Sequence, residues 1–124
     1  MGSGKIARLK TLDFDAGRAL PIAGFGSHDV TAVPLTLSDG EAHVVCIRLG
    51  AGGVLGRHPA PADQLFVVVE GEGWASGEEG ERVPVAPGTA LHWHAGEEHE
   101  SGSERGLKAI VVESERLVPH LRDD

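Results

Sequence analysis

The chain has very little cysteine, few cations and no long apolar run. Its 124 residues include one cysteine, Cys46, which excludes an intrachain disulfide and a thiolate metal cluster. No apolar run approaches the length of a membrane span or a secretory leader, so we expect a cytoplasmic protein that does not enter a membrane. The formal net charge of -8 opposes binding to a phosphate backbone, which excludes nucleic acid as an expected partner.

Glycine and proline are abundant instead and are scattered along the chain. The 18 glycines and 7 prolines separate short apolar runs, and this rhythm is typical of an all-β protein. The clearest predicted strands cover 42–50, 64–71 and 106–114, and a hairpin is predicted with its tip at 76–81. The length is that of one domain, so we expect a short or flexible N-terminal segment (1–20), an antiparallel barrel or sandwich (21–118) and a C-terminal tail (119–124).

Histidines are unusually frequent, and three of the seven lie close together in the segment HWHAGEEH. In a strand, His92 and His94 share one face while Trp93 takes the other, so the two imidazoles are able to reach a common metal. The competing interpretation is a polar strand face at the rim of a barrel. No role is assigned to the three isolated histidines, His28, His43 and His120.

A segment earlier in the chain contains one histidine, His58, within a recognisable spacing of residues. Gly52, His58 and Gly71 match three fixed positions of the pattern G-x5-H-x-H-x3-E-x6-G. Ala60 stands where this pattern has its second histidine, and Gln64 stands where it has glutamate.

The segment around the first histidine cluster follows the companion pattern G-x5-P-x-G-x2-H-x3-N. Gly88, Gly96 and His99 match, while His94 replaces the proline and Ser103 replaces the asparagine. The order and spacing of the two segments resemble the two motifs of the cupin superfamily, in particular its small single-domain members. The resemblance implies a single jelly-roll β-barrel of antiparallel strands.

The resemblance also implies a metal site inside the barrel, with His58, Gln64 and His99 as ligands. Ala60 cannot bind a metal and Gln64 offers only a neutral amide oxygen, so His92 or His94 is the predicted source of the missing ligand. Such donors suit a divalent ion, which leaves Zn, Fe, Ni, Mn and Cu open. The acidic residues beside His99 form either a solvated turn or an orienting partner for a ligand histidine: Glu97, Glu98 and Glu100.

Function is less determined than fold, because one barrel serves many chemistries. The leading hypothesis is a cupin that holds a divalent metal and a small polar organic ligand. If the protein is an enzyme, we expect oxidation with O2, isomerisation or a lyase reaction. No catalytic residue is assigned. The alternative is a non-catalytic module that binds or senses a small molecule. A metal-free barrel using a histidine–carboxylate pair is a third hypothesis. Exposed sheet edges favour a homodimer.

Overall fold

A computed structural model of the protein describes residues 9–13, 20–21, 31–32, 35–38 and 40–119. These residues form thirteen β-strands and no helix. The first four are short: β1 (Lys10–Asp13), β2 (Leu20–Pro21), β3 (Thr31–Ala32) and β4 (Thr36–Ser38). The others are β5 (Ala42–Leu49), β6 (Val54–Pro59), β7 (Asp63–Gly71), β8 (Gly73–Ser76), β9 (Arg82–Val85), β10 (Thr89–Trp93), β11 (Glu98–Gly102), β12 (Leu107–Ser114) and β13 (Leu117–Pro119). A search of the same residues for a helix able to cross a membrane finds none.

Two antiparallel sheets make up the body of the fold. The larger has the strand order β1-β10-β7-β12-β5, and the smaller has the order β6-β11-β8-β9. Two-stranded pairs, β13 with β4 and β2 with β3, are added to them. The predicted all-β jelly roll is confirmed, and the predicted hairpin is the pair β8 and β9. The strand β1 lies within the predicted N-terminal segment 1–20; it pairs with β10, and its Leu12 is fully buried.

The strand β7 is covered on both faces, which explains its unbroken apolar sequence. Phe66 and Val68 belong to the core cluster between the two sheets. Leu65 and Val67 belong to a second cluster on the other face of the larger sheet, which Leu117 of β13 helps to cover. Successive side chains of a strand point to opposite faces, so a strand packed on both sides has no position for a polar residue in its middle.

The glycines of the two sequence motifs occupy backbone conformations that favour glycine. All four have a positive φ, at 75° for Gly52, 80° for Gly71, 94° for Gly88 and 86° for Gly96. Side chains with a Cβ atom rarely adopt this region, so the motifs mark tight turns at strand ends. The turns place the strands that carry His58 and His99 beside each other.

The edge strands β5 and β6 carry exposed apolar side chains. Val44 of β5 is 66% exposed and Val54 of β6 is 56% exposed. The homodimer expected from such edges stays a prediction.

Candidate functional site

A cavity of about 360 Å³ opens between the larger and the smaller sheet. Such a volume falls in the range of small-molecule sites. Its apolar lining comprises Val45, Ile47, Leu55, Pro59, Pro61, Phe66, Trp93 and Val111. Its polar lining comprises His58, Gln64, His99, Ser101 and Glu113. The cavity therefore joins an apolar and aromatic wall to a small number of converging polar groups.

His58 and His99 lie directly opposite each other on the paired strands β6 and β11. Their ring centroids are 4.4 Å apart. The pairing shifts just beyond them, between His99 and Ser101, so that Leu55 is the partner of Ser101. This bulge brings Leu55 and His58, three residues apart, to the same cavity, which regular strand alternation would not do.

Both histidines have one ring nitrogen tied to the backbone. Nδ1 of His58 is 2.6 Å from the carbonyl oxygen of Gly56, and Nδ1 of His99 is 3.2 Å from that of Glu97. A carbonyl oxygen can only accept, so in each neutral ring the proton sits on Nδ1 and Nε2 is left as the acceptor. This is the tautomer that presents Nε2 to a ligand or a metal.

The surroundings of His99 favour its neutral form. Burial lowers its pKa from the usual 6.5, and the charge of His58 lowers it further, against the opposing hydrogen bond to the carbonyl of Glu97. The ring of Trp93 lies beside it, with centroids 4.4 Å apart. Near neutral pH His99 is therefore an uncharged acceptor.

Neither Glu97 nor Glu98 orients His99 through its carboxylate. The Glu97 side chain is buried, and its Oε1 accepts a hydrogen bond from the backbone N–H of His94 at 3.1 Å. Burial raises the pKa of this carboxyl. Glu98 instead forms an ion pair with Arg57, at 3.6 Å. The orienting group of His99 is the backbone carbonyl of Glu97.

Gln64 lines the cavity from the larger sheet and is fixed by a residue of the next strand. Its Nε2 donates a hydrogen bond of 2.8 Å to Oε1 of Glu113, its cross-strand partner on β12. An ionised carboxylate can only accept, so the amide nitrogen must face Glu113. The Oε1 atom of Gln64 is then the part of the amide left to accept from a ligand.

His92 lies on the face of β10 that points away from the cavity, and His94 follows the end of this strand. Trp93 lines the cavity, whereas neither neighbouring histidine does. Their ring centroids are 4.8 Å apart, and His92 is fully buried. Burial, followed by the charge of His94, lowers the pKa of His92. Neither histidine is placed to complete a site with His58.

Of the residues predicted to bind a metal, the structure thus brings together His58, Gln64 and His99 and leaves His92 and His94 apart. Among residues 40–119 and the shorter described segments, no three His, Cys, Asp or Glu side chains are grouped so that they could hold a metal ion. The cavity lining offers two imidazole nitrogens, the amide oxygen of Gln64 and the carboxylate of Glu113. Of the three predicted ligands that it brings together, only the two imidazoles are strong, which is one fewer than the three strong protein ligands typical of an open metal site. The isolated histidines His28 and His120 lie outside the described residues.

Sequence reasoning missed Glu113. The residue was hidden because it lies outside both motifs, at the end of the last long strand. The alternation of side chains along β12 could have identified it. Leu107, Ala109 and Val111 are buried on one face of this strand, and Glu113 lies on the same face. A charged residue in the apolar phase of a strand indicates a cavity or a partner.

Comparison with known proteins finds similarity in structure only. No protein-family model and no curated protein matches the chain. A cupin superfamily protein from Desulfitobacterium hafniense DCB-2 superposes with a TM-score of 0.55 at 16% identity, covering 87% of this chain and 98% of that one. KdgF from Halomonas sp. gives 0.56 at 25% identity, covering 67% and 76%. A protein from Thermotoga maritima described as a predicted oxalate decarboxylase gives 0.51 at 22% identity, covering 56% and 62%.

Proposed function

Because the chain has the cupin fold, we propose that it binds a small polar organic molecule in the cavity between its two sheets. The observation that carries this proposal is the lining itself, in which His58, Gln64, His99 and Glu113 converge on an otherwise apolar space. A few placed polar groups on an apolar wall are the usual composition of a small-molecule site. The apolar wall would bury the body of the ligand, and the polar groups would set its orientation.

The polar groups are mainly acceptors. Nε2 of His58, Nε2 of His99 and Oε1 of Gln64 each have an acceptor lone pair, because the hydrogen bond of each side chain is made through another of its nitrogen atoms. A ligand that donates hydrogen bonds, through hydroxyl or amine groups, satisfies them. The ring of Trp93, held edge-on by Phe66 at 5.6 Å between centroids, offers an aromatic surface to the rest of the molecule.

A divalent metal is the second candidate for the same cavity, held by His58, His99 and Gln64. The fixed tautomers of the two histidines favour it, since metal-bound imidazoles usually donate their other N–H to a carbonyl. The small donor set disfavours it, because Ala60 and the amide of Gln64 remove the other strong ligands. A bound ion would supply Lewis acidity and open positions for water or a ligand.

Blocking the cavity tests the proposed binding. We would titrate benzyl alcohol, a probe with an apolar body and one hydroxyl, and follow the fluorescence of Trp93 in a Trp74→Phe background. Val45→Phe narrows the cavity, whereas Val44→Phe adds the same bulk one residue away at a position that does not line it. We expect affinity to fall by about tenfold or more in Val45→Phe and to stay near the parent value in Val44→Phe. Equal binding by the two variants would contradict the proposal. So would the absence of a saturable response in the parent to benzyl alcohol and also to its amine and carboxylate analogues, benzylamine and benzoate.

The metal candidate is tested separately. Elemental analysis of untagged protein, before and after incubation with Zn, Ni, Mn, Cu or Fe(II), measures the metal content. About one equivalent that is lost in both His58→Ala and His99→Ala supports metal binding in the cavity. Retention of the metal in both variants assigns it to another part of the chain.

A further inference from the structure

Glu113 is the one acidic residue in the lining of the cavity. The lining contains no lysine, arginine or aspartate, and its other polar members are the two histidines, Gln64 and Ser101. Arg57 pairs with Glu78 and Glu98, and Lys108 pairs with Glu70, so neither of these two cations is paired with Glu113. The wall of the cavity therefore offers a carboxylate with no lysine or arginine beside it.

The carboxylate of Glu113 is only partly satisfied. The side chain is half-buried, and one of its oxygens accepts the 2.8 Å hydrogen bond from Gln64. Its other partner across the sheet is His43 on β5, an exposed residue that does not line the cavity. A partly buried carboxylate gains most from a charged donor, because hydrogen bonds between ionised groups are about twice as strong as neutral ones.

The aromatic wall favours the same kind of ligand. Phe66 and Trp93 line the cavity together with Glu113. The face of an aromatic ring attracts a cation, and Trp does so most strongly. A carboxylate combined with aromatic side chains is therefore suited to an ammonium group attached to an apolar body.

We infer that the ligand of this cavity is a small amine, whose ammonium group pairs with Glu113 and whose apolar part packs against Phe66 and Trp93. The inference rests on the proposed binding function, since it assigns the chemical class of the molecule that the cavity takes. Glu113 and Gln64 then have different roles: the carboxylate of Glu113 pairs with the charge of the ligand, and Oε1 of Gln64 accepts a hydrogen bond from it.

Three probes of similar shape and different charge test this inference: benzylamine, benzyl alcohol and benzoate. Each is titrated into the protein as purified and followed by Trp93 fluorescence in the Trp74→Phe background. We expect benzylamine to bind about tenfold more tightly than benzyl alcohol, and benzoate to bind more weakly than either, because it places a second carboxylate beside Glu113.

The variant Glu113→Gln removes the charge, and Glu115→Gln is its matched control. Glu115 lies two residues further along, is exposed, and does not line the cavity, so both substitutions change the net charge equally. We expect the preference for benzylamine to disappear in Glu113→Gln and to persist in Glu115→Gln.

The possible outcomes distinguish a failure of the amine inference from a failure of the proposed binding function. Binding of benzyl alcohol with no preference for benzylamine, or an unchanged preference in Glu113→Gln, overturns the amine inference and leaves the binding function in place. Tighter binding of benzoate than of benzylamine overturns it as well. Failure of all three probes to bind overturns the proposed function together with the inference.

Discussion

The last glycine of the first motif, Gly71, allows a quantitative test of the fold that holds the site. Gly71 ends β7 with φ of 80°, and Gly80 in the β8–β9 hairpin tip has nearly the same φ, 81°. A Cβ atom added at Gly71 would overlap the carbonyl oxygen of Gly106 and lie 3.0 Å from Cα of Leu107, both backbone atoms. A Cβ atom added at Gly80 would meet nothing within 4 Å. The two positions share the conformational penalty and differ in the clash.

The expected magnitudes follow from this difference. An alanine forced into the left-handed region costs about 1–2 kcal/mol, which is the whole expected loss of unfolding free energy for Gly80→Ala. Overpacking against backbone adds about 1–3 kcal/mol, so Gly71→Ala is expected to lose about 2–5 kcal/mol in all. Urea denaturation of both variants, followed by tryptophan fluorescence, measures the two values. Equal losses in the two variants would refute the close approach of β7 to the turn at Gly106.

Two further predictions concern buried polar groups behind the larger sheet. Burial lowers the pKa of His92 in the native state. As the pH drops below the usual value of 6.5, this histidine takes up a proton in the unfolded chain but not in the native state. The free energy of unfolding therefore falls as the pH drops below 6.5. We expect His92→Leu to lose less stability than the parent between about pH 7 and about pH 5, measured by urea denaturation; an identical loss would contradict the assignment. Asp63 accepts hydrogen bonds from the backbone N–H groups of Ala95 at 2.9 Å and Leu117 at 3.0 Å. Asp63→Ala is expected to lose about 2–4 kcal/mol and Asp63→Asn less, by the same assay, and a loss below about 0.5 kcal/mol in Asp63→Ala would show that these bonds contribute little.

Sequence reasoning reached most of the fold and part of the cavity. Strand positions followed from apolar runs punctuated by glycine and proline, and the order of the two motifs led to the jelly roll. The resemblance to the cupin motifs implied that His58, Gln64 and His99 lie around one space, and all three line the cavity; their role as metal ligands stays a prediction. The predicted separation of Trp93 from His92 and His94 is also present, since Trp93 lines the cavity and neither histidine does. Side-chain direction along a strand depends only on the local backbone.

The rest of the site depended on contacts between distant parts of the chain. The alternation of side chains along a strand does not predict which face of β10 lines the cavity. In the structure, that face carries Trp93. The interaction of Gln64 with Glu113 joins residues 49 positions apart through the pairing of β7 with β12. No local pattern around either residue specifies that pairing.

What the sequence by itself determined about this protein is therefore local: which segments are strands, which turns need a positive φ, and which residues share a face. These properties depend on the conformational preferences of neighbouring residues. The tertiary structure alone decided which faces enclose the cavity, and it set the partner of Gln64 and the separation of His92 and His94 from His58. Those outcomes depend on strand pairing and on the packing of two sheets, which bring together residues far apart in the chain.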